Sequence, residues 1–429
     1  MKGSTADNAI SQTTTHKVVV PFYFYAAICF LVSTIILLVA TSEFYTSYFH
    51  PKLLAIVHLM ALGWGTMIIL GASHQLIPVL IEAKLYSNKL AHASFVFAAI
   101  GIPLLVYSFY FFEMSLIGKW GGRCIIFSVI AFLINVHKSI RGSKKENIHA
   151  VFIFTATIWL LVTVCAGLFL LYNFTYNFFD FNSVDFLSLH AHVGIIGWFL
   201  LLIIGVGSRL IPMFLISKFK SNKQLWIIYF LINFGLILFT FLFLFIKINE
   251  LYFLPLSFIF VGIIVFIHYC YNCFKQRIRK RIDEQMKVSL LAVLLMVVPI
   301  ILLTVILSVI VFFSKENIDL IIVYGFVIFF GWITSIILGM TFKTLPFIIW
   351  NKIYHTKSVN QKSPSPKDLF NNIIFNWMTF FYLTGFFLFV ISYLMSMLFI
   401  IQISICLLFI AALLYNWNVI KLLLHKSKY

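Results

Sequence analysis

Long apolar runs separated by short polar segments dominate the chain. An α-helix needs about 20 apolar residues to cross the hydrocarbon core of a bilayer. Runs of that length centre on residues 18–40, 51–80, 91–112, 119–137, 149–172, 185–214, 224–246, 251–272, 288–314, 318–349, 370–393 and 398–420. The pattern predicts an all-α integral membrane protein with about twelve transmembrane helices.

Composition supports this prediction. Of the 429 residues, 62% are hydrophobic and 10% are charged, with a mean hydropathy of +1.05. A soluble protein of this size exposes more polar surface. The polar residues 1–17 lead into the first apolar run with no small-residue cleavage site. We therefore expect a cytoplasmic tail over 1–17, one transmembrane domain over 18–420 and a second cytoplasmic tail over 421–429.

The net charge of +18 is distributed unevenly along the chain. If the N-terminus is cytoplasmic, most of the 31 Lys and Arg residues fall in cytoplasmic segments, with the densest run at 275–287. The outer segments hold only Lys52, Lys119, Arg123, Lys247 and Lys315. Cytoplasmic loops of membrane proteins carry such an excess of basic residues. The basic charge therefore predicts a multi-pass protein with both termini in the cytoplasm, and it does not indicate a nucleic-acid partner.

Three stretches of the chain repeat one another without gaps. Their shared elements are a Gly-Trp pair, a later glycine and a proline, each 134 residues from its counterpart: Gly63-Trp64, Gly197-Trp198 and Gly331-Trp332; Gly71, Gly205 and Gly339; Pro78, Pro212 and Pro346. A fixed period over several anchor positions indicates repeated structural units. We expect three four-helix pseudo-repeats, over about 18–137, 149–272 and 288–420.

The histidines vary within this repeat. His58 and His192 occupy equivalent positions, and Phe326 stands at the third. An imidazole within a membrane is costly unless it is bonded or ligates a metal. Two at one depth, roughly 10 Å into their helices at 1.5 Å per residue, suit a bis-histidine b-type haem. The neighbouring small residues would leave room for a flat macrocycle: Ala61, Gly63, Gly194 and Gly197. The alternative is that each imidazole bonds a neighbouring backbone or hydroxyl group.

His190 lies two residues before His192, which on an α-helix is about 200° around the axis. The two imidazoles cannot share one metal. His190 could therefore hold a second haem or a copper ion toward the tenth helix, where Tyr324 is its equivalent, or it could bond the adjacent loop. His74 lies sixteen residues beyond His58, too far to join the same haem, and is expected to be a structural, loop-facing residue.

The stretch "HAHVGIIGWFLLLIIGVGSRLIP" (190–212), on the sixth of twelve helices, resembles the ligand-bearing helix of haem–copper oxidase subunit I. The likeness is to the cbb-type and nitric-oxide-reductase branch, and the chain is also similar to the NnrS nitric-oxide-response membrane proteins. The resemblance implies haem b, a diatomic gas such as nitric oxide or oxygen, an electron-donor cytochrome or partner subunit, and the bacterial inner membrane.

The chain also departs from the oxidase pattern. In the oxidases the HxH motif is on the tenth helix, whereas here the tenth helix has Tyr324 and Phe326. No third imidazole is present for a three-histidine copper centre, and the span centres lack Asp, Glu and Lys. We therefore expect a haem-binding protein that is not a proton-pumping oxidase, with oxidoreductase activity left open. A metal-free assembly or partner subunit and a secondary transporter are the alternatives.

Overall fold

The computed structural model describes residues 14–45, 47–143, 147–354 and 364–426. In these ranges the chain is helical apart from short connections, and an isolated antiparallel bridge joins Ser217 to Arg277. Twelve of the described helices are long and apolar enough to cross a membrane, which confirms the predicted fold class. Residues 1–13 and 427–429 of the two expected tails lie outside the described ranges.

The spanning helices lie within five residues of the predicted boundaries. They are α1 (His16–Val39), α2 (Pro51–Ile81), α3 (Asn88–Tyr110), α4 (Leu116–Arg141), α5 (Ile148–Tyr176), α6 (Ser183–Leu215), α7 (Asn222–Ile246), α8 (Asn249–Lys275), α9 (Glu284–Phe313), α10 (Ile318–Tyr354), α11 (Asn372–Leu394) and α12 (Leu398–Leu423). The shortest connections, after α7 and α11, turn through left-handed residues, Lys247 (φ 56°) and Ser396 (φ 54°). A residue in the left-handed conformation commonly ends a helix and allows the chain to reverse its direction within a few residues.

The helices form two compact units. Of the described residues, the first contains Thr14 and those in 73–282 and 296–317, which include α3 to α8 and the ends of α2 and α9. The second contains residues 15–72, 283–295 and 318–429, which include α1, α10, α11, α12 and the beginnings of α2 and α9. The unit boundary in α9 falls at Met296, where the α-helix is interrupted three residues before Pro299.

Small residues allow close helix packing in the first unit. A Cβ added at Gly101 of α3 would lie 2.7 Å from the backbone oxygen of Gly121 in α4. Further along the same pair, the hydroxyl of Ser128 donates to the Ser94 carbonyl oxygen at 2.7 Å. Membrane helices associate through such close backbone approach and interhelical hydrogen bonds, because lipid supplies no hydrophobic drive between them.

In the second unit, Trp64 is fully buried among aromatic residues. Its ring stacks on Phe30 of α1, with centroids 4.6 Å apart, and meets Tyr415 of α12 edge-on at 5.1 Å. Its indole N–H donates to the hydroxyl of Thr334 in α10 at 3.0 Å. A buried indole needs such a partner, so this Trp of the repeat links four helices of its unit.

Three of the spanning helices contain a π-helical segment at equivalent positions. The segments are Leu59–Thr66 in α2, Val193–Leu200 in α6 and Val327–Ile333 in α10. Their first residues are 134 apart, which is the spacing of the sequence repeat. Each segment starts directly after His58, His192 or Phe326. The π-helix is rare and frequently occurs at functional sites, so the variable position of the repeat lies at a distinctive backbone feature.

The repeated prolines create a second irregularity in the helical backbone. Proline has no N–H, so it cannot bond the carbonyl four residues before it. For Pro78 that carbonyl belongs to His74, and the hydroxyl of Thr14 donates to it at 2.6 Å. For Pro212 it belongs to Ser208, and the hydroxyl of Tyr269 donates to it at 3.0 Å. Side chains thus replace the missing backbone donor in both helices.

Candidate functional site

His58 and His192 have the same hydrogen-bonded geometry in their two units. Nδ1 of His58 lies 2.8 Å from the Leu54 carbonyl oxygen, and Nδ1 of His192 lies 2.7 Å from that of Ser188. A carbonyl can only accept, so Nδ1 carries the proton in both rings. In the neutral imidazole, Nε2 then carries the lone pair. Metal-ligating histidines commonly show this arrangement, in which the second ring nitrogen donates to an oxygen and fixes the tautomer.

The two histidines of the HxH motif contact different helices of the first unit. The His192 ring lies 5.4 Å from the ring of Phe239 in α7. The His190 ring packs on α5, where a Cβ added at Gly167 would lie 2.7 Å from its Cε1 atom. These contacts agree with the rotation of about 200° expected from the helical spacing. A second haem or copper site at His190 stays a prediction.

The third equivalent position is filled by stacked rings of the second unit. Phe326 lies nearly parallel to Phe389 at a centroid distance of 3.7 Å, and to Phe330 and Phe386 at 5.0 and 5.9 Å. The side chain is buried and has no ligating atom. The repeat therefore places an imidazole after the first turns of α2 and α6 and a phenyl stack in α10.

The glycines near the histidines have a different role from the one expected. A Cβ at Gly63 would lie 2.7 Å from Cys29 Sγ, and one at Gly197 would lie 2.7 Å from the Trp159 side chain. At Gly194 the added atom would lie 3.0 Å from the side chain of Thr163. The interpretation of these positions as room for a macrocycle is wrong, because side chains of neighbouring helices already occupy it. They are helix-packing glycines.

His74 is fully buried, and its ring meets that of Phe132 in α4 edge-on at 5.2 Å. A structural, loop-facing role for His74 stays a prediction. Its backbone carbonyl, as described above, is the one freed by Pro78.

The donor sets fit haem and copper differently. Axial ligation of a haem iron needs one or two imidazoles, which His58 and His192 supply in a suitable tautomer. In the described ranges no group of three or more His, Cys, Asp or Glu residues is placed to hold a metal ion. The residues therefore suit haem ligation and do not suit a three-histidine copper centre. Cys270 and Cys273 are buried free thiols.

Sequence reasoning missed Tyr382 of α11. Its hydroxyl donates to the carbonyl oxygens of Phe330 and Gly331 at 2.6 and 2.8 Å, within the π-helical segment of α10, and lies 2.8 Å from Ser335 Oγ. A π-helical segment changes which backbone groups pair, and a buried carbonyl needs a donor. The sequence carries no signal for this contact, because the π-helical segment is itself unpredicted.

Comparison with known proteins identifies the fold. No family model matches the chain, and no curated protein matches it. Among solved structures, the cryo-electron-microscopy structure of a heme-copper terminal oxidase dimer superposes with a TM-score of 0.71 at 10% sequence identity. The match covers 95% of this chain and 85% of that one. The chain therefore has the heme-copper oxidase fold, as the sequence resemblance implied.

Proposed function

We propose that the chain is a haem b-binding protein of the bacterial inner membrane, with a redox or diatomic-gas-binding role. His58 and His192 are its candidate axial ligands. His190 is the candidate ligand of a second haem or of a copper ion, and the donor set favours haem. The observation that carries the proposal is the shared tautomer of His58 and His192, at equivalent repeat positions and directly before π-helical segments.

The chain's own residues would set the properties of the ligands. The hydrogen bond from each Nδ1–H to a helix carbonyl fixes the ring orientation and raises the basicity of Nε2. Bound haem would supply an iron that takes up one electron or binds a gas. An electron-donor cytochrome or a partner subunit is the partner that this role requires. The fold alone does not establish a function, so the ligands carry the argument.

The distribution of acidic residues supports a role without proton pumping. Within the spanning helices the carboxylates are Asp185, Glu250, Glu284 and Asp319, all in the first turn of their helices. Transmembrane proton transfer relies on protonatable residues within the membrane. The helix centres offer no Asp or Glu for such a path, in contrast to what a proton-pumping oxidase would need.

The test is a reduced-minus-oxidised absorption spectrum of protein purified after haem-replete expression. We expect sharp α and Soret bands in the natural sequence and their loss in His58→Ala and His192→Ala. His92→Ala is the matched control, because His92 is an exposed imidazole on a spanning helix. Bands lost in both variants would show that haem binding needs both residues. Bands lost in only one would assign the iron to that residue, and bands retained in both would contradict the proposal.

Gas binding is tested on the same preparation. A six-coordinate bis-histidine haem should keep its reduced spectrum under carbon monoxide or nitric oxide, whereas a five-coordinate haem should shift its Soret band. A shift would favour the gas-binding role, and an unchanged spectrum would favour electron transfer.

A metal-free assembly or partner subunit of the same fold is the second candidate. The phenyl stack at Phe326 favours it, because one of three equivalent positions carries rings in place of a ligand. A colourless protein after haem-replete expression would select this candidate. The apolar span centres argue against a secondary transporter, since transporters place polar substrate sites near the midplane.

A further inference from the structure

Two cations stand one helical turn apart at the start of α4, on the face predicted to be external. Lys119 and Arg123 are two of the five basic residues in the outer segments. In the described ranges neither forms an ion pair with a carboxylate, whereas Lys52, another outer cation, pairs with Glu43 at 2.6 Å. Lys119 is only 4% exposed. A cationic side chain that is largely buried and has no counter-ion in the described ranges is suited to an anionic ligand.

Helix α5 lies beside these cations and presents two tyrosines. The ammonium of Lys119 lies 4.1 Å from the centre of the Tyr176 ring, and the guanidinium of Arg123 lies 5.6 Å from that of Tyr172. Arg123 also donates a hydrogen bond to the Tyr172 hydroxyl. The approach of the helices depends on Gly122, where a Cβ would lie 2.7 Å from the side chain of Leu168, one turn before Tyr172.

Each polar group of the cluster formed by Lys119, Arg123 and Tyr172 has a proton to donate. Lysine and arginine side chains have no acceptor atom. The Tyr172 hydroxyl accepts from Arg123, so its own proton remains to be donated. These three groups bring three donors and two positive charges together, and in the described ranges no carboxylate forms an ion pair with them. Such a set of groups has the chemistry that binds a phosphate oxyanion. The guanidinium can bind it in a bidentate manner and the ammonium acts as a point charge.

We propose that Lys119, Arg123 and Tyr172 bind the phosphate of an anionic phospholipid headgroup. The rings around the cations are those that mark the membrane–water interface. Trp120 and Tyr176 are 48% and 56% exposed, and the guanidinium of Arg123 lies 4.6 Å from the Trp120 ring. Tryptophan and tyrosine are enriched at headgroup level on both faces of a membrane, and arginine and lysine form charge-assisted hydrogen bonds with phosphate.

Native mass spectrometry of the purified full chain tests the proposal. The protein is titrated with phosphatidylglycerol, with phosphatidylcholine as the zwitterionic comparison, and with inorganic phosphate in lipid-free detergent. We expect phosphatidylglycerol to bind at a saturable site. Lys119→Gln and Arg123→Gln together should weaken its binding roughly tenfold or more, as expected when charge-assisted hydrogen bonds are lost. Saturable binding of inorganic phosphate, lost in the same variant, would assign the site to free phosphate.

Three further variants make the result decisive. Lys247→Gln removes an exposed outer cation elsewhere and should leave binding unchanged. Lys119→Arg keeps the charge and should retain most of the binding, and Tyr172→Phe keeps the ring but loses the donor and should weaken it. Circular dichroism shows whether each variant is folded. If the double variant does not fold, the binding of phosphatidylglycerol by the single variants Lys119→Gln and Arg123→Gln tests the proposal. Equal phosphatidylglycerol binding by the natural sequence and the folded Gln and Phe variants would overturn the proposal.

Discussion

At the residue scale, hydroxyl groups complete the backbone where the helices depart from regular α-helix. Tyr382 donates to two carbonyls of the π-helical segment in α10, and Thr14 and Tyr269 donate to the carbonyls that Pro78 and Pro212 leave without a backbone donor. A buried backbone carbonyl that has lost its helical donor needs another one. These hydroxyls therefore stabilise the irregular backbone, and each can be tested by removing one oxygen.

Tyr382→Phe removes the donor to the Phe330 and Gly331 carbonyls and preserves the ring. We expect it to lower the free energy of unfolding by about 1–3 kcal/mol, the cost of leaving buried acceptors without a partner. Thermal unfolding in detergent measures the change. Tyr271→Phe is the matched control, because Tyr271 is 58% exposed, and it should leave the midpoint unchanged. Equal midpoints for the two variants would contradict a structural role of the Tyr382 hydroxyl.

At the element scale, glycine positions decide which helices lie in close contact. Gly101 faces backbone of α4, whereas Gly325 of α10 has no atom within 4 Å of an added Cβ. The two residues have the same chemistry and differ in what lies beside them. Helix propensity favours alanine over glycine at both positions. Opposite effects of the same substitution on the free energy of unfolding would therefore isolate the contribution of helix packing.

Gly101→Ala should separate α3 from α4 and lower the free energy of unfolding by about 1–3 kcal/mol, as overpacking typically does. Gly325→Ala should be neutral or stabilise the protein by up to about 1 kcal/mol. Thermal unfolding of both variants under one detergent condition checks this. A loss of stability from Gly325→Ala as large as that from Gly101→Ala would contradict the packing explanation.

At the scale of the whole molecule, the charge distribution predicts an orientation in the membrane. Lys280 lies in the basic segment after α8, and Lys315 lies in the connection after α9, so one helix separates them. Both residues are exposed. Because cytoplasmic loops hold the basic excess, the segment with Lys280 should face the cytoplasm and that with Lys315 the outside.

Cysteines introduced at these two positions test the orientation. In intact cells a membrane-impermeant maleimide should label Lys315→Cys, and it should label Lys280→Cys only after permeabilisation. The natural sequence is the background control, since its thiols lie within spanning helices. Labelling in the reverse order would place both termini outside.

Much of the fold could be predicted from the sequence, because spanning helices depend on run length. The apolar runs alone predict the ends of all twelve helices to within five residues. The period of 134 residues locates the equivalent positions of the three repeats. The role of Gly63 could not be predicted, since it depends on which side chains the neighbouring helices present. The π-helical segments were missed because periodicity analysis assumes a uniform turn. His58 and His192 were singled out by position, and their tautomer required coordinates.

The π-helical segments have a consequence for how the repeated helices can diverge. A wider turn offsets the rotational phase of the residues before it from that of the residues after it. In α2, α6 and α10 the part after the segment retains the same glycine and proline, while the position before it is His58, His192 or Phe326. The wide turn thus lets the two ends of each helix change independently. The side chain before the segment can be replaced, while the part after the segment keeps its packing.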